Sequence, residues 1–342
     1  MRRHRPPARL VDMTLIAAGV VLLVALVWRI GGVTLLDHLR LVGPWIVLII
    51  GQETLAILAN TLGWRAAFPL RPPPPSSRLL AARIAGDAVN YVTPTASLGG
   101  ELVRARLLDG CAPRLELATS IAVAKLAQTV AQAGFVAAGL VLALGAGTVA
   151  PALRTASLAS VGVLGTLVVA LLLAQRRGLL GPLTRLVTGA GPLARFAHLA
   201  GYAAQLDAEI AKLHRAPDRP FVASCLWFFV GWALGAVEIA LMLWLLGVDV
   251  TMTRALTIEA LSVGLDALVF FVPAKLGTQE GGKVLIFTAL GLDPGLGLTV
   301  GVLRRIRELV WAFAGLTIIG RAGLVPDAAD VAGASSEPLT TD

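Results

Sequence analysis

Several stretches of this chain run for about twenty residues with almost no charge, the length an α-helix needs to cross a hydrocarbon core roughly 30 Å thick. Inside a bilayer no water is available to backbone N–H and C=O groups. Only helices, or barrels closed on themselves, keep all of those groups bonded. Barrel strands need short alternating segments, and the sequence has none. The expected fold class is therefore all-α, a polytopic helical membrane protein. Charged residues make up 15% and hydrophobic residues 56% of the 342 positions, and the mean hydropathy is +0.80. A soluble domain carries about 25% charge.

In chain order, Arg2, Arg3, Arg5 and Arg9 precede an apolar run at 13–28. Its exit, Trp28-Arg29-Ile30, offers no small-x-small cleavage site, so the run reads as an uncleaved first span with residues 1–12 in the cytoplasm. Residues 31–43 read as a short external loop. Residues 44–64 read as a second span with Gln52 and Glu53 midway, and Pro72 to Pro75 as a stiff, non-helical linker. Further spans are expected at 117–147, 155–174, 221–246 and 297–319. Between them, Phe196, Leu199, Ala203, Leu206, Ile210 and Leu213 recur at helical spacing in a basic segment, which predicts an amphipathic surface helix over 194–214. The tail at 326–342 reads as disordered.

The net charge of +8 fits loop topology in a membrane protein, not nucleic-acid binding. Cys111 and Cys225 form no disulfide framework or metal spacing. No cofactor and no metal is expected.

Two stretches break the apolar pattern. The first runs from Asp87 through Asn90, Pro94, Gly99, Gly100 and Glu101 to Arg104. The second runs from Asp266 through Pro273, Gly277 and Glu280 to Lys283. Asp87 and Asp266, Pro94 and Pro273, and Glu101 and Glu280 are each 179 positions apart. The same offset places Arg104 on Lys283 and Lys125 on Arg304. This predicts an internal repeat, with units at about 44–147 and 223–325 inside a single membrane domain at 13–325. Each unit has a span, a broken or re-entrant element and a span. Three spans lie between the two polar stretches. An odd number inverts one copy relative to the other, as in many transporters whose substrate site lies where broken helices meet.

The residue types suit such a site. Proline breaks a helix at a fixed point, and glycine permits a sharp turn and close approach. A half-helix N-terminus offers N–H groups to an anion. Arg104, Lys125, Lys283 and Arg304 supply full positive charge for a headgroup. Glu101 and Glu280 have two readings: they neutralise those bases within the protein, or they gate, bind a cationic group or carry a proton. Glu53, Glu238 and Glu259 have no copies at the same offset. They read first as interhelical hydrogen-bonding groups, with Glu238, Asp87 and Asp266 as candidates for coupling.

These motifs, Asn90-x-x-x-Pro94 followed by Gly99-Gly100-Glu101-x-x-Arg104, and Pro273-x-x-x-Gly277-x-x-Glu280-Gly281, resemble the transmembrane domain of lysylphosphatidylglycerol synthases and the wider flippase-like family. The resemblance covers roughly 13–325. It implies a domain of a bacterial cell (inner) membrane that moves lipid, of phospholipid or of polyprenyl or hopanoid type, between leaflets. The soluble aminoacyl-transferase domain of the full synthases is missing, so lysine transfer is not expected, and the chain reads as a non-enzyme. Two alternatives stay open: a membrane-embedded enzyme acting on a lipid headgroup, and an accessory subunit recruiting a cytoplasmic lipid-synthesis partner through 194–214. The sequence does not fix whether the chain forms a homo-oligomer.

Overall fold

The computed structural model describes residues 24–29, 31–69, 72–92, 98–145, 219–268 and 277–323, with residues 21 and 208 and scattered positions between 162 and 173. The expected first span at 13–28, the fourth span at 155–174, the surface helix at 194–214 and the tail at 326–342 lie wholly or largely outside these residues. So do Pro94 and Pro273.

The protein is an all-helical, multi-pass membrane protein, and no strand occurs among the described residues. Nine α-helices are described: α1 (Gly32–Val42), α2 (Ile46–Ala66), α3 (Ser76–Val92), α4 (Leu98–Leu107), α5 (Arg114–Gly145), α6 (Arg219–Leu245), α7 (Met252–Leu268), α8 (Thr278–Ala289) and α9 (Pro294–Arg321). Gly43–Trp45 is a single 3-10 turn joining α1 to α2. Three stretches among the described residues are long and apolar enough to cross a membrane: Gly32–Ala66, Arg114–Gly145 and Pro220–Leu245.

The loop expected at 31–43 is instead a helix. Leu35, His38, Leu39 and Val42 turn inward while Val33, Leu36, Arg40 and Leu41 stay exposed. That is a 3.6-residue period, hidden in the sequence by the polar Asp37, His38 and Arg40. His38 anchors the helix: its Nδ1 lies 2.8 Å from Oγ1 of Thr299 on α9. The Thr299 hydroxyl already donates to the Gly295 carbonyl, so His38 donates and Thr299 accepts. The Pro72–Pro75 linker is non-helical, and the Pro75 carbonyl receives the first N–H groups of α3, from Arg78 and Leu79.

The order of elements repeats. Helices of 21, 17, 10 and 32 residues (α2 to α5) are followed by helices of 27, 17, 12 and 28 residues (α6 to α9). In each unit a long helix is followed by a medium helix, a short helix and a second long helix. Residues 93–97 and 269–276, which hold the two prolines, lie outside the described residues.

The units interlace. Helices α2 and α6 pack on each other, while α3 lies on α9 and α7 lies on α5. Each medium helix therefore rests on the last helix of the other unit. Lipid tails are as apolar as a leucine side chain, so close van der Waals contact between small residues carries much of this association. A Cβ on Gly315 of α9 would stand 2.4 Å from Cβ of Ala88 on α3. A Cβ on Gly139 of α5 would stand 2.2 Å from Cβ of Ala260 on α7. Gly231 and Gly235, one turn apart on α6, admit Asn60 of α2 and Glu259 of α7 respectively. Apolar clusters fill the spaces between, one around Trp64, Leu79, Leu117 and Phe228, another around Ile49, Met242, Phe287 and Leu303.

Candidate functional site

Polar residues singled out in the first stretch converge between α3 and α4. Arg104 of α4 donates through Nη1 to both carboxylate oxygens of Glu101, at 2.9 Å each, and through Nη2 to Asp87 of α3. Arg83, one turn before Asp87, adds an ion pair at 3.3 Å. Lys125 of α5 stands 3.8 Å from Glu101 with its side chain half-exposed. The Asn90 side-chain oxygen accepts from the Gly100 N–H at 2.8 Å, satisfying one of the orphan donors of the first turn of α4. Two rings back the cluster: Arg104 lies over Trp64 and Arg83 over Phe228, each 5.7 Å from the ring centre.

Gly99 and Gly100 do not form the break expected of them; both are helical, in the first turn of α4. Gly100 permits contact instead. A Cβ there would sit 2.2 Å from the Gly86 carbonyl oxygen and 2.5 Å from the Asn90 side chain. In the second stretch the glycine does mark the turn. Gly277 has φ of 72° and caps the N-terminus of α8, a conformation glycine adopts at no steric cost.

The second cluster is larger. Arg304 of α9 makes a two-pronged pair with Glu259 of α7 at 3.1 and 2.8 Å and also reaches Glu238 of α6 at 2.8 Å. Arg307, one turn on, pairs with the other oxygen of Glu238 at 2.8 Å and donates to Glu53 of α2. The charges thus alternate Glu53, Arg307, Glu238, Arg304, Glu259 across four helices. Lys283 is 1% exposed and lies in the field of Arg304, Glu259, Asp266 and Glu238. Glu280 pairs with Arg305 at 2.6 Å. The copies at the 179-residue offset therefore match in position but not in pairing: Glu101 holds the arginine three residues on, and Glu280 holds one on α9.

This geometry revises the roles expected for the bases. The guanidiniums of Arg104 and Arg304 are each spent on two carboxylates of the protein itself. A charge at membrane depth is costly unless paired or wetted, and these are paired. Lys125 is the exposed base of the first cluster.

Between α2, α3 and α9 lies a cavity of about 240 Å³. Glu53, Asp87, Glu308, Tyr91 and Arg307 give it a polar lining, and Ile57, Ile84, Ala88, Trp311 and Ala312 the remainder. Three carboxylates thus face one guanidinium, which is already shared with Glu238. Asp87 belongs to both places, lining the cavity and anchoring Arg83 and Arg104. Arg83, Tyr91, Arg305, Arg307 and Glu308 received no role from the sequence. The signal available was the run Arg304-Arg305-x-Arg307-Glu308 inside an otherwise apolar 28-residue helix, which demands buried counter-ions from elsewhere in the chain.

The chain matches a family model described as Lysylphosphatidylglycerol synthase TM region over residues 14–315. No curated protein matches it, and no solved structure matches it.

Proposed function

The chain belongs to the lysylphosphatidylglycerol synthase transmembrane-region family, and from that premise we propose that it moves a lipid between the leaflets of a bacterial inner membrane, the headgroup passing through the cavity between α2, α3 and α9 while the tails stay in lipid. On this reading the protein carries its cargo without altering it. The two units face opposite sides of the membrane, with the N-terminus in the cytoplasm.

The observation that carries the reading is the cavity itself. It is a pocket with several buried or half-buried charges, in the interior of a membrane protein, between helices of both units. Ionisable groups held at membrane depth mark pathways by default, and a transporter's site lies where its repeats meet. The charge pattern supports a headgroup with two characters. Glu53, Asp87 and Glu308 suit hydroxyl or amine donors. Lys125, half-exposed beside Arg83 and Arg104, suits a phosphate. A phospholipid with a polar ester on its phosphate meets both demands, and an isoprenoid lipid phosphate meets the second.

The test is reconstitution of the full chain in liposomes holding labelled phosphoglycerol, phosphoethanolamine or isoprenyl-phosphate lipids. The rate at which each label becomes accessible from the opposite leaflet is then measured. Faster exchange than in protein-free liposomes, for at least one headgroup, is expected. Rates equal to protein-free controls for all three would end the proposal.

A further inference from the structure

One wall of the cavity is a single face of α3: Ile84, Asp87, Ala88 and Tyr91 follow one another at helical spacing. Tyr91 is the last of them, in the final turn of α3. Its hydroxyl accepts a hydrogen bond from Nη1 of Arg305 at 3.1 Å. The same guanidinium donates through Nε to Glu280 at 2.6 Å, and Glu280 stands in the first turn of α8. One side chain on α9 therefore joins α3 of the first unit to α8 of the second. Neither ion cluster does this. The first ties α3 to α4 and α5 within one unit. The second reaches the first unit through Glu53 on α2, not through α3.

We propose that Arg305 is a positioning residue for transport: its bridge from Tyr91 to Glu280 couples α3 of the first unit to α8 of the second and holds the α3 wall of the cavity closed. The inference deepens the translocation reading and rests on it.

The two ends of the bridge differ in strength. Glu280 is fully buried, and a charge-assisted bond to a buried carboxylate is strong and directional. The Tyr91 phenol is neutral and half-exposed, so its bond is the weaker one. The bridge opens at Tyr91 and stays fastened at Glu280. Opening frees the Tyr91 end of α3 while α8 remains fixed to α9. A guanidinium serves two acceptors along fixed directions from one plane; an ammonium on a shorter reach does not reproduce that geometry.

The test uses the full chain with Cys111 and Cys225 replaced by serine and a single reporter, Ile84→Cys, in the cavity wall. In proteoliposomes, the rate of reaction with a membrane-impermeant maleimide reads access to the cavity. Tyr91→Phe removes only the hydroxyl, and the loss of one such bond is expected to raise the labelling rate about fivefold. Arg305→Lys keeps a charge for Glu280 and is expected to do the same. The double variant is expected to label no faster than either single one, because both act on one bridge. Arg305→Gln strands a buried carboxylate and is not relied upon. Parent-like labelling in both single variants, at an unchanged melting temperature, overturns the proposal, as does strict additivity in the double variant. Labelling needs no lipid movement. A bridge that responds in a protein moving no lipid would sink the translocation reading alone, and lipid movement with an unresponsive bridge would sink this one alone.

Discussion

Arg307 and Glu53 are 254 positions apart in the chain and hydrogen-bonded in the fold. The contact joins the first long helix of one repeat unit to the last helix of the other. The same guanidinium also meets Glu238 on α6, so three long helices share one charge. Replacing buried ion pairs by apolar groups is often neutral for stability, whereas removing one partner is not. The ladder from Glu53 to Glu259 therefore specifies which helices stand together more than it adds net stability.

Arg304→Gln should expose that asymmetry. The change leaves Glu259 and Glu238, both buried, with one counter-ion fewer. Stability should fall by about 3–5 kcal/mol, measured by denaturation of the detergent-solubilised protein. Arg304→Met combined with Glu259→Met should recover much of the loss. A single variant as stable as the parent would mean the pair is wetted.

Glycine substitutions should separate contact from spacing. Gly100→Ala drives a methyl into the Gly86 carbonyl at 2.2 Å, and α4 must move away from α3 at a cost of about 1–3 kcal/mol. Gly134→Ala in α5 meets nothing within 4 Å and should stabilise by about 0.5–1 kcal/mol through backbone entropy. Equal effects at the two positions would contradict the crossing described.

The interlacing of the units predicts matched damage. Gly139→Leu and Gly315→Leu each meet an alanine of the other unit, and each should lower the melting temperature by several degrees. Gly320→Leu, also on α9, meets nothing and should leave it unchanged. Melting curves of the three variants decide the matter.

Glu308→Gln tests the cavity as a route. Glu308 has modest internal partners, a hydrogen bond donated by the Gln279 side-chain amide at 3.1 Å and an ion pair with Arg307 at 3.7 Å. Stability should change by less than about 1 kcal/mol. Lipid exchange in liposomes should slow about tenfold, the effect expected when a charge-assisted contact to the cargo is lost. Parent-rate exchange would place the route elsewhere.

Much of the architecture was readable in the chain. The apolar runs gave α2, α5 and α6. Misreadings came where local and tertiary signals diverge. Asp37, His38 and Arg40 made α1 look like a loop, because its helical period is carried by only a few inward residues. Gly99-Gly100 suggested a break, whereas the pair serves an interhelical contact that only a second helix reveals. The pairing of Arg104 with Glu101 was foreseeable from their spacing. The partners of Arg304, 45 and 66 positions away, were not, since sequence fixes the number of charges in a membrane domain and leaves their matching to the fold. Gly231-x-x-x-Gly235 was the overlooked sign that α6 is approached closely.

The arginines on α9 set an order for biogenesis. Glu53, Glu238 and Glu259 leave the ribosome before the helix that neutralises them, so the nascent chain enters the membrane with acids whose counter-charges are not yet made. Until α9 arrives, the earlier helices hold their places provisionally, and a prematurely terminated product lacking it is a ready target for the proteases that clear unassembled membrane proteins.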